Sequence, residues 1–184
     1  MIYFVRHGAT DWNDFVNKKG ESAPKCQGRA DIPLNKRGEI QAKELAKTIK
    51  DVSFDKVLCS PLTRAKQTCE ILMGTLDGVI IDDRLSERDF GEFEGLTRND
   101  FDFAEFCRKN SKIKFKTAES VENVEKRVFL LLDELKQEPD KNVLIVAHGG
   151  VGCAFLTYFD GETDYGDYKS FIIPHGTPII RNFK

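Results

Sequence analysis

The sequence predicts an α/β three-layer sandwich with a mostly parallel central sheet. Three observations carry that expectation. Short β-rich runs occur without strict alternation, amphipathic helical stretches lie between them, and no repeat or Pro/Gly/Ser-rich linker divides the 184 residues. A strand covered on both faces reads as a continuous apolar run, whereas a half-exposed strand alternates. Strand following helix following strand then places helices on both faces of one sheet.

Taken in order, Ile2–Val5 is the first strand. Ala42, Leu45, Ala46 and Ile49 then recur at i, i+3, i+4 and i+7, which marks one face of a helix. Lys56–Cys59 is the second strand. Ser60 and Pro61 follow as a cap and a first helical residue, opening a helix through about Leu72. Val79–Ile81 is a third strand. Val121, Val124, Val128, Leu131, Leu132 and Leu135 form a long apolar stripe with Ser120 as its N-cap, and Val143–Ala147 is a further buried strand.

With 28 Lys+Arg against 30 Asp+Glu the net charge is −2, and the 40% hydrophobic and 32% charged fractions describe a globular protein. A chain of this length buries about 70% of its unfolded surface, so a single domain over 1–184 needs no disulfide or metal to hold it. No basic tract marks a nucleic-acid binder, and Lys109 to Lys116 reads as a solvated surface. Five cysteines, Cys26, Cys59, Cys69, Cys107 and Cys153, are odd in number and lack CxxC spacing, which points to a reducing compartment. No signal-peptide core and no run of 18 apolar residues is found, so the expected location is cytoplasmic with no membrane partner. The sequence leaves the oligomeric state open.

Ligands of open α/β sheets bind at the carboxyl ends of the strands. That edge receives His7 after the first strand, Arg64 in the first turn after the second, and His148 after Val143–Ala147. Arg6-His7-Gly8 joins a planar fork for oxyanions, an imidazole and a flexible turn. Read alone, each residue has an ordinary structural explanation: a hydrogen-bonded strand-end histidine, or a solvent-facing arginine on a capped helix. Gly149 and Gly150 after His148 repeat the arrangement of a histidine followed by amides open to an anion. Glu87 lies in a charged loop, where a carboxyl could be a general acid or simply solvated. His175 reads as a structural or surface residue. The three histidines have no spacing that prefigures a metal site.

These segments resemble the histidine phosphatase superfamily in its phosphoglycerate mutase-like branch. Arg6-His7-Gly8 with Trp12-Asn13 matches its signature. Gly28–Leu34, Ser60-Pro61-Leu62-Thr63-Arg64, Glu87-Arg88, Glu94-Gly95, Glu119-Ser120 and Ala147-His148-Gly149-Gly150 follow in the family's order. The resemblance implies a phosphoglycerate mutase-like fold with a small cap from about 86 to 118. It also implies a metal-independent and cofactor-free phosphatase acting on a small phosphorylated metabolite. By similarity His7 is the nucleophile, Arg6, Arg64 and His148 hold the phosphoryl oxygens, Asn13 and Gly149 are further phosphate contacts, and Glu87 is the general acid. Arg6 and Arg64 should keep His7 neutral.

Two departures bear on substrate. Asp14–Cys26 is longer than the family pattern, either a lid carrying Lys18 or Lys19 toward substrate or a surface excursion. Phe90, Phe93, Phe101, Phe103, Phe106 and Phe115 crowd the cap, as an apolar pocket wall or as core. The chain is shorter than mutases of this family, which favours a phosphatase. The alternatives are a cofactor-dependent phosphoglycerate mutase and a non-catalytic phosphate-binding module.

Overall fold

The computed structural model describes residues 1–161 and 173–183. Five strands form one sheet in the order β3-β2-β4-β1-β5, where β1 is Ile2–Arg6, β2 Lys56–Cys59, β3 Ile80–Ile81, β4 Val143–Ala147 and β5 Ile179–Arg181. The pairings β3·β2, β2·β4 and β4·β1 are parallel; β5 joins β1 antiparallel. Helices α1 (Lys36–Ile49), α2 (Thr63–Met73), α3 (Phe103–Phe106), α4 (Val121–Leu135) and α5 (Gly149–Asp160) fill the connections.

Alternate residues of each strand enter opposite cores, which explains the continuous apolar runs. Ile2, Phe4, Leu58, Val143 and Ile145 face Val128, Leu131 and Leu132 of α4 and Val151 and Phe155 of α5. Tyr3, Val5, Val57, Leu144 and Val146 face Leu45 and Ile49 of α1 and Ala65 and Cys69 of α2. Helices therefore cover both faces, and the three-layer sandwich is the observed architecture. Ser120 caps α4 as expected, accepting from Asn123 N at 3.2 Å.

Four details differ from the sequence expectation. β3 is an edge strand whose Ile80 and Ile81 remain 47% and 46% exposed, because β2 pairs with it on one side only. α2 starts at Thr63 rather than at Ser60. Its first turn is capped by Asp31, which accepts from Thr63 N at 2.7 Å and Thr63 Oγ1 at 2.6 Å. Helix α5 is hidden behind its Gly-Gly start, and β5 is only three residues long.

Between β3 and α4 the chain forms two short 3-10 turns and α3 around a separate aromatic cluster. Phe106 is wholly buried there, with ring centroids 4.9 Å from Phe93, 5.4 Å from Phe90 and 5.8 Å from Phe115. Phe103 and Phe106 are buried core, Phe90, Phe93, Phe101 and Phe115 pack half-buried against them, and Phe90 and Phe103 also face a cavity. Among the described residues no helix is long and apolar enough to cross a membrane.

Leu132, 1% exposed between α4 and the sheet, is expected to hold the two layers together. Leu132→Ala should lower the unfolding free energy by about 2–5 kcal/mol through lost transfer energy and a residual cavity. Urea unfolding checks this: the midpoint should fall with an unchanged slope.

Candidate active site

The ends of β1 and β4 lie side by side, and His7 leaves β1 with its N–H bonded to Ala147 O at 2.9 Å. All four polar groups of His7 have partners. Its ring Nδ1–H donates to Gly8 O at 2.7 Å, its Nε2 accepts from Arg64 Nε at 3.2 Å, and its carbonyl accepts from His175 Nδ1 at 2.5 Å. The tautomer is therefore set with the lone pair on Nε2. Gly8 must be glycine because a Cβ there would stand 2.8 Å from the Gly38 Cα at the start of α1.

Arg64 is fully buried, yet no carboxylate is among its hydrogen-bond partners. Its Nη1 and Nη2 donate to Ala30 O and Gly28 O, each at 2.8 Å, and its Nε reaches His7. The loop supplying those carbonyls is itself held by Glu94, which accepts from Gly28 N, Arg29 N and Ala30 N at 2.7, 3.1 and 3.2 Å. Three N–H donors to one carboxylate turn the carbonyls the other way, toward Arg64.

His148 is buried on the other side of His7, with ring centroids 5.0 Å apart. Ser60 Oγ accepts from Leu62 N at 3.3 Å and lies 2.7 Å from His148 Nε2. The hydroxyl proton is then free to go to Nε2, which leaves the imidazole proton on Nδ1. Among the described residues that buried Nδ1 has no partner, and neither has the buried Nε of Arg6, whose Nη1 donates to Ile173 O at 2.9 Å. Buried donors without acceptors are costly unless something absent from the chain satisfies them. Thr10 orients two amides in the same sense. Its N–H meets Asn13 Oδ1 at 3.1 Å and its hydroxyl meets Gln27 Oε1 at 2.7 Å, so the buried Nε2 of Gln27 is also left without a partner.

Glu87 is 6% exposed and accepts from Gly150 N at 3.1 Å to each oxygen and from Arg88 N at 2.8 Å. The first turn of α5 thus holds the carboxylate, and Arg6 and Glu87 both pack against Gly149. The structure brings Arg6, His7, Arg64, His148, Asn13, Glu87 and Gly149 together around the carboxyl ends of β1 and β4. It adds Gln27, Ser60, Glu94 and His175, whose proximity depends on long-range packing.

A cavity of about 300 Å³ opens from His7 between the 86–118 segment and helices α4 and α5. Arg88 reaches it from beneath the aromatic cluster, its guanidinium 3.9 Å from the Phe106 ring centroid, with Nη2 buried and unpartnered. Lys18 and Lys19, expected as possible substrate contacts, are exposed and away from the cavity. Lys25 lines it instead, stacked 4.4 Å from the Phe15 ring centroid. Within the 14–26 segment, Val16 bridges Ser22, a hairpin-like turn that carries both lysines outward. His175 belongs to the site and is not a remote structural histidine: its ring lies 5.6 Å from that of His7 and lines the same cavity. Among the described residues no group of three or more His, Cys, Asp or Glu is placed to hold a metal ion.

The electrostatics follow from burial. Desolvation, then Arg64 and Arg6, hold His7 well below the ordinary imidazole value, and desolvation with Arg64 does the same for His148. Burial and Arg6 push His175 down to about 4, and burial lowers Arg6 to about 10. Neutral imidazoles beside buried guanidiniums make a site that accepts an oxyanion and offers a nitrogen lone pair to it.

The description "Histidine phosphatase superfamily (branch 1)" matches residues 2–180. "Uncharacterized phosphatase PhoE" of Bacillus subtilis (strain 168) is 39% identical over 162 residues, covering 87% of this chain and 77% of that protein. "Probable phosphoglycerate mutase GpmB" of Cronobacter sakazakii is 30% identical over 166 residues, covering 85% and 74%. The structure of a phosphoserine phosphatase from Entamoeba histolytica in complex with 3-phosphoglyceric acid is 29% identical with a TM-score of 0.73, covering 97% and 93%.

Two outcomes are expected. In Gly150→Ala the new Cβ would stand 2.5 Å from Glu87 Oε1 and displace the carboxylate. A shift near 1 Å should reduce turnover by about 10²-fold with urea stability little changed. The second concerns pH. The three histidines refuse protons in the folded state that the unfolded chain binds below its ordinary 6.5. Stability should be full above that value and fall as pH drops from 6.5 toward about 4, the value for His175. Urea unfolding at pH 7.5 and pH 5 measures this, and equal free energies at the two would contradict it.

Proposed function

Because the chain belongs to the histidine phosphatase superfamily, branch 1, we propose that it hydrolyses small phosphomonoesters without a metal ion, through a covalent phosphohistidine on His7. The observation that carries this reading is the fully buried Arg64 touching His7 Nε2, with unpartnered donors on Arg6 and His148 beside it. A phosphoryl dianion supplies the acceptors these groups lack.

In the first half-reaction a phosphoryl oxygen takes over the Arg64 Nε–H and frees the His7 Nε2 lone pair. That lone pair attacks phosphorus, the phosphorus–oxygen ester bond breaks, and Glu87 donates a proton to the departing alkoxide. Charge on the equatorial oxygens is held by Arg6, Arg64, His148 Nδ1–H and the Asn13 amide, so catalysis is mainly positioning and electrostatics. In the second half-reaction the Glu87 carboxylate takes a proton from water, whose oxygen attacks phosphorus. The phosphorus–nitrogen bond breaks, returning neutral His7 and inorganic phosphate.

Hydrolysis is favoured over the mutase reaction because the relative named as a phosphatase is 39% identical, against 30% for the one named as a mutase. A non-catalytic module is disfavoured by the intact set of His7, Arg64, Glu87 and His148. The 86–118 segment acts as the cap in this reading. Its Arg88 Nη2, with Lys25 and Arg37 on the cavity wall, supports substrates carrying a second anionic group. The Entamoeba histolytica protein was solved with such a molecule, 3-phosphoglyceric acid.

The test is phosphate release from a panel of small phosphomonoesters, phosphorylated carboxylic acids first, in excess chelator and without bisphosphoglycerate. Release should survive chelation, and His7→Ala should lose at least about 10³-fold in turnover while remaining folded. Isomerisation of 3-phosphoglycerate on adding bisphosphoglycerate, with no phosphate release, would replace hydrolysis by the mutase reaction.

A further inference from the structure

Resting on the reading of His7 as nucleophile, we propose that His175 is a positioning residue, which aims the His7 ring by clamping the main-chain carbonyl of His7. The nucleophile is followed by Gly8, and glycine leaves the torsions on either side of it loose. Yet the His7 ring is oriented through that glycine, because its Nδ1–H is bonded to Gly8 O at 2.7 Å. The peptides flanking Gly8 must therefore be held by outside partners.

The structure supplies three. Gly8 N–H donates to Thr68 Oγ1 at 3.1 Å, Ala9 N–H donates to Gln41 Oε1 at 2.9 Å, and His175 Nδ1–H donates to His7 O at 2.5 Å. The last is the shortest of the three and fixes the His7–Gly8 peptide plane directly. The segment bearing His175 is itself tied to the strand end, since Arg6 bridges His175 and Arg6 Nη1 donates to Ile173 O at 2.9 Å. Its imidazole stands 5.6 Å from that of His7, with an interplanar angle of 65°. Burial keeps His175 neutral at neutral pH, so its single ring proton is committed to the His7 carbonyl.

Two variants separate donation from filling of space. His175→Phe keeps the ring volume and removes the donor. His175→Asn removes the ring and keeps an N–H donor on the atom that replaces Nδ1. The clamp predicts that kcat falls by about tenfold or more in His175→Phe, with KM moved by less than about threefold, since ring misplacement acts on the chemical step. His175→Asn should recover kcat to within about threefold of wild type. The reverse order, equal losses in both, or wild-type kcat in His175→Phe would overturn the clamp.

A second measurement does not need turnover. ¹⁵N-edited spectra of the wild-type imidazoles should show His7 protonated on Nδ1. Arg64 Nε–H still faces Nε2 in His175→Phe, so the His7 ring signals should shift and broaden there with the proton kept on Nδ1, and return to wild-type values in His175→Asn. Unchanged His7 signals in His175→Phe would overturn the clamp. If the ring signals shift as expected while the wild-type protein releases no phosphate from any substrate, the functional reading fails and the clamp stands.

Discussion

Burying a guanidinium completely, with no carboxylate bonded to it, is the constraint from which the rest of the site follows. Arg64 is the largest wholly buried side chain among the described residues. An ion of that size loses several kcal/mol of hydration unless every donor is met. Its terminal nitrogens are met by two carbonyls, which point the right way because Glu94 holds the amides of the same loop. Asp31, in the adjoining residues, caps α2 and so fixes the helix that carries Arg64. Of its five N–H groups these bonds use two, and the Nε–H is directed at the lone pair of His7. The fold anchors this cation through both terminal nitrogens and aims its Nε–H at the ring that would react.

The same logic extends to the neighbours. His148 receives a partner on Nε2 from Ser60 and none on Nδ1, and Arg6 receives one on Nη1 and none on Nε. Each side chain is anchored on one side and left with a donor on the other. Groups arranged so do not need to reorganise when charge arrives, which is the condition for strong electrostatic stabilisation. The cost appears in stability, through unmet buried donors and through histidines kept neutral by desolvation. A phosphoryl dianion would relieve both costs at once.

Much of this was legible from the sequence, and the exceptions have physical reasons. β1, β2 and β4 read clearly because both of their faces are covered, which makes their apolar runs continuous. β5 is three residues on an antiparallel edge, and α5 opens with two glycines that signal a turn more strongly than a helix. Ser60 looks like an N-cap by position, but its hydroxyl is drawn to His148, and the cap comes from Asp31, 32 residues before Thr63 in the chain. His7, Arg64 and His148 follow from the rule that ligands sit at strand ends. Glu87 stands out from its acidic neighbours only through the family resemblance. Gln27 and Glu94 act through contacts with residues distant in sequence. No motif reaches His175, which in sequence reads as a structural or surface residue, and only the packing of the segment after Ile173 onto β1 brings it to His7.

The central claim is that His7 Nε2, cleared of its bond to Arg64 by an incoming oxyanion, becomes covalently phosphorylated. Its most direct test is to quench the protein with a turning-over phosphomonoester at alkaline pH and map phosphate by mass spectrometry on the peptide containing His7. The account predicts an acid-labile, base-stable phosphate on that imidazole, absent from unreacted protein and accumulating in Glu87→Gln with an aryl phosphate, whose leaving group needs no proton from Glu87. Phosphate release with no phosphorylated His7 under any quench, or phosphate carried by a different side chain, would contradict it.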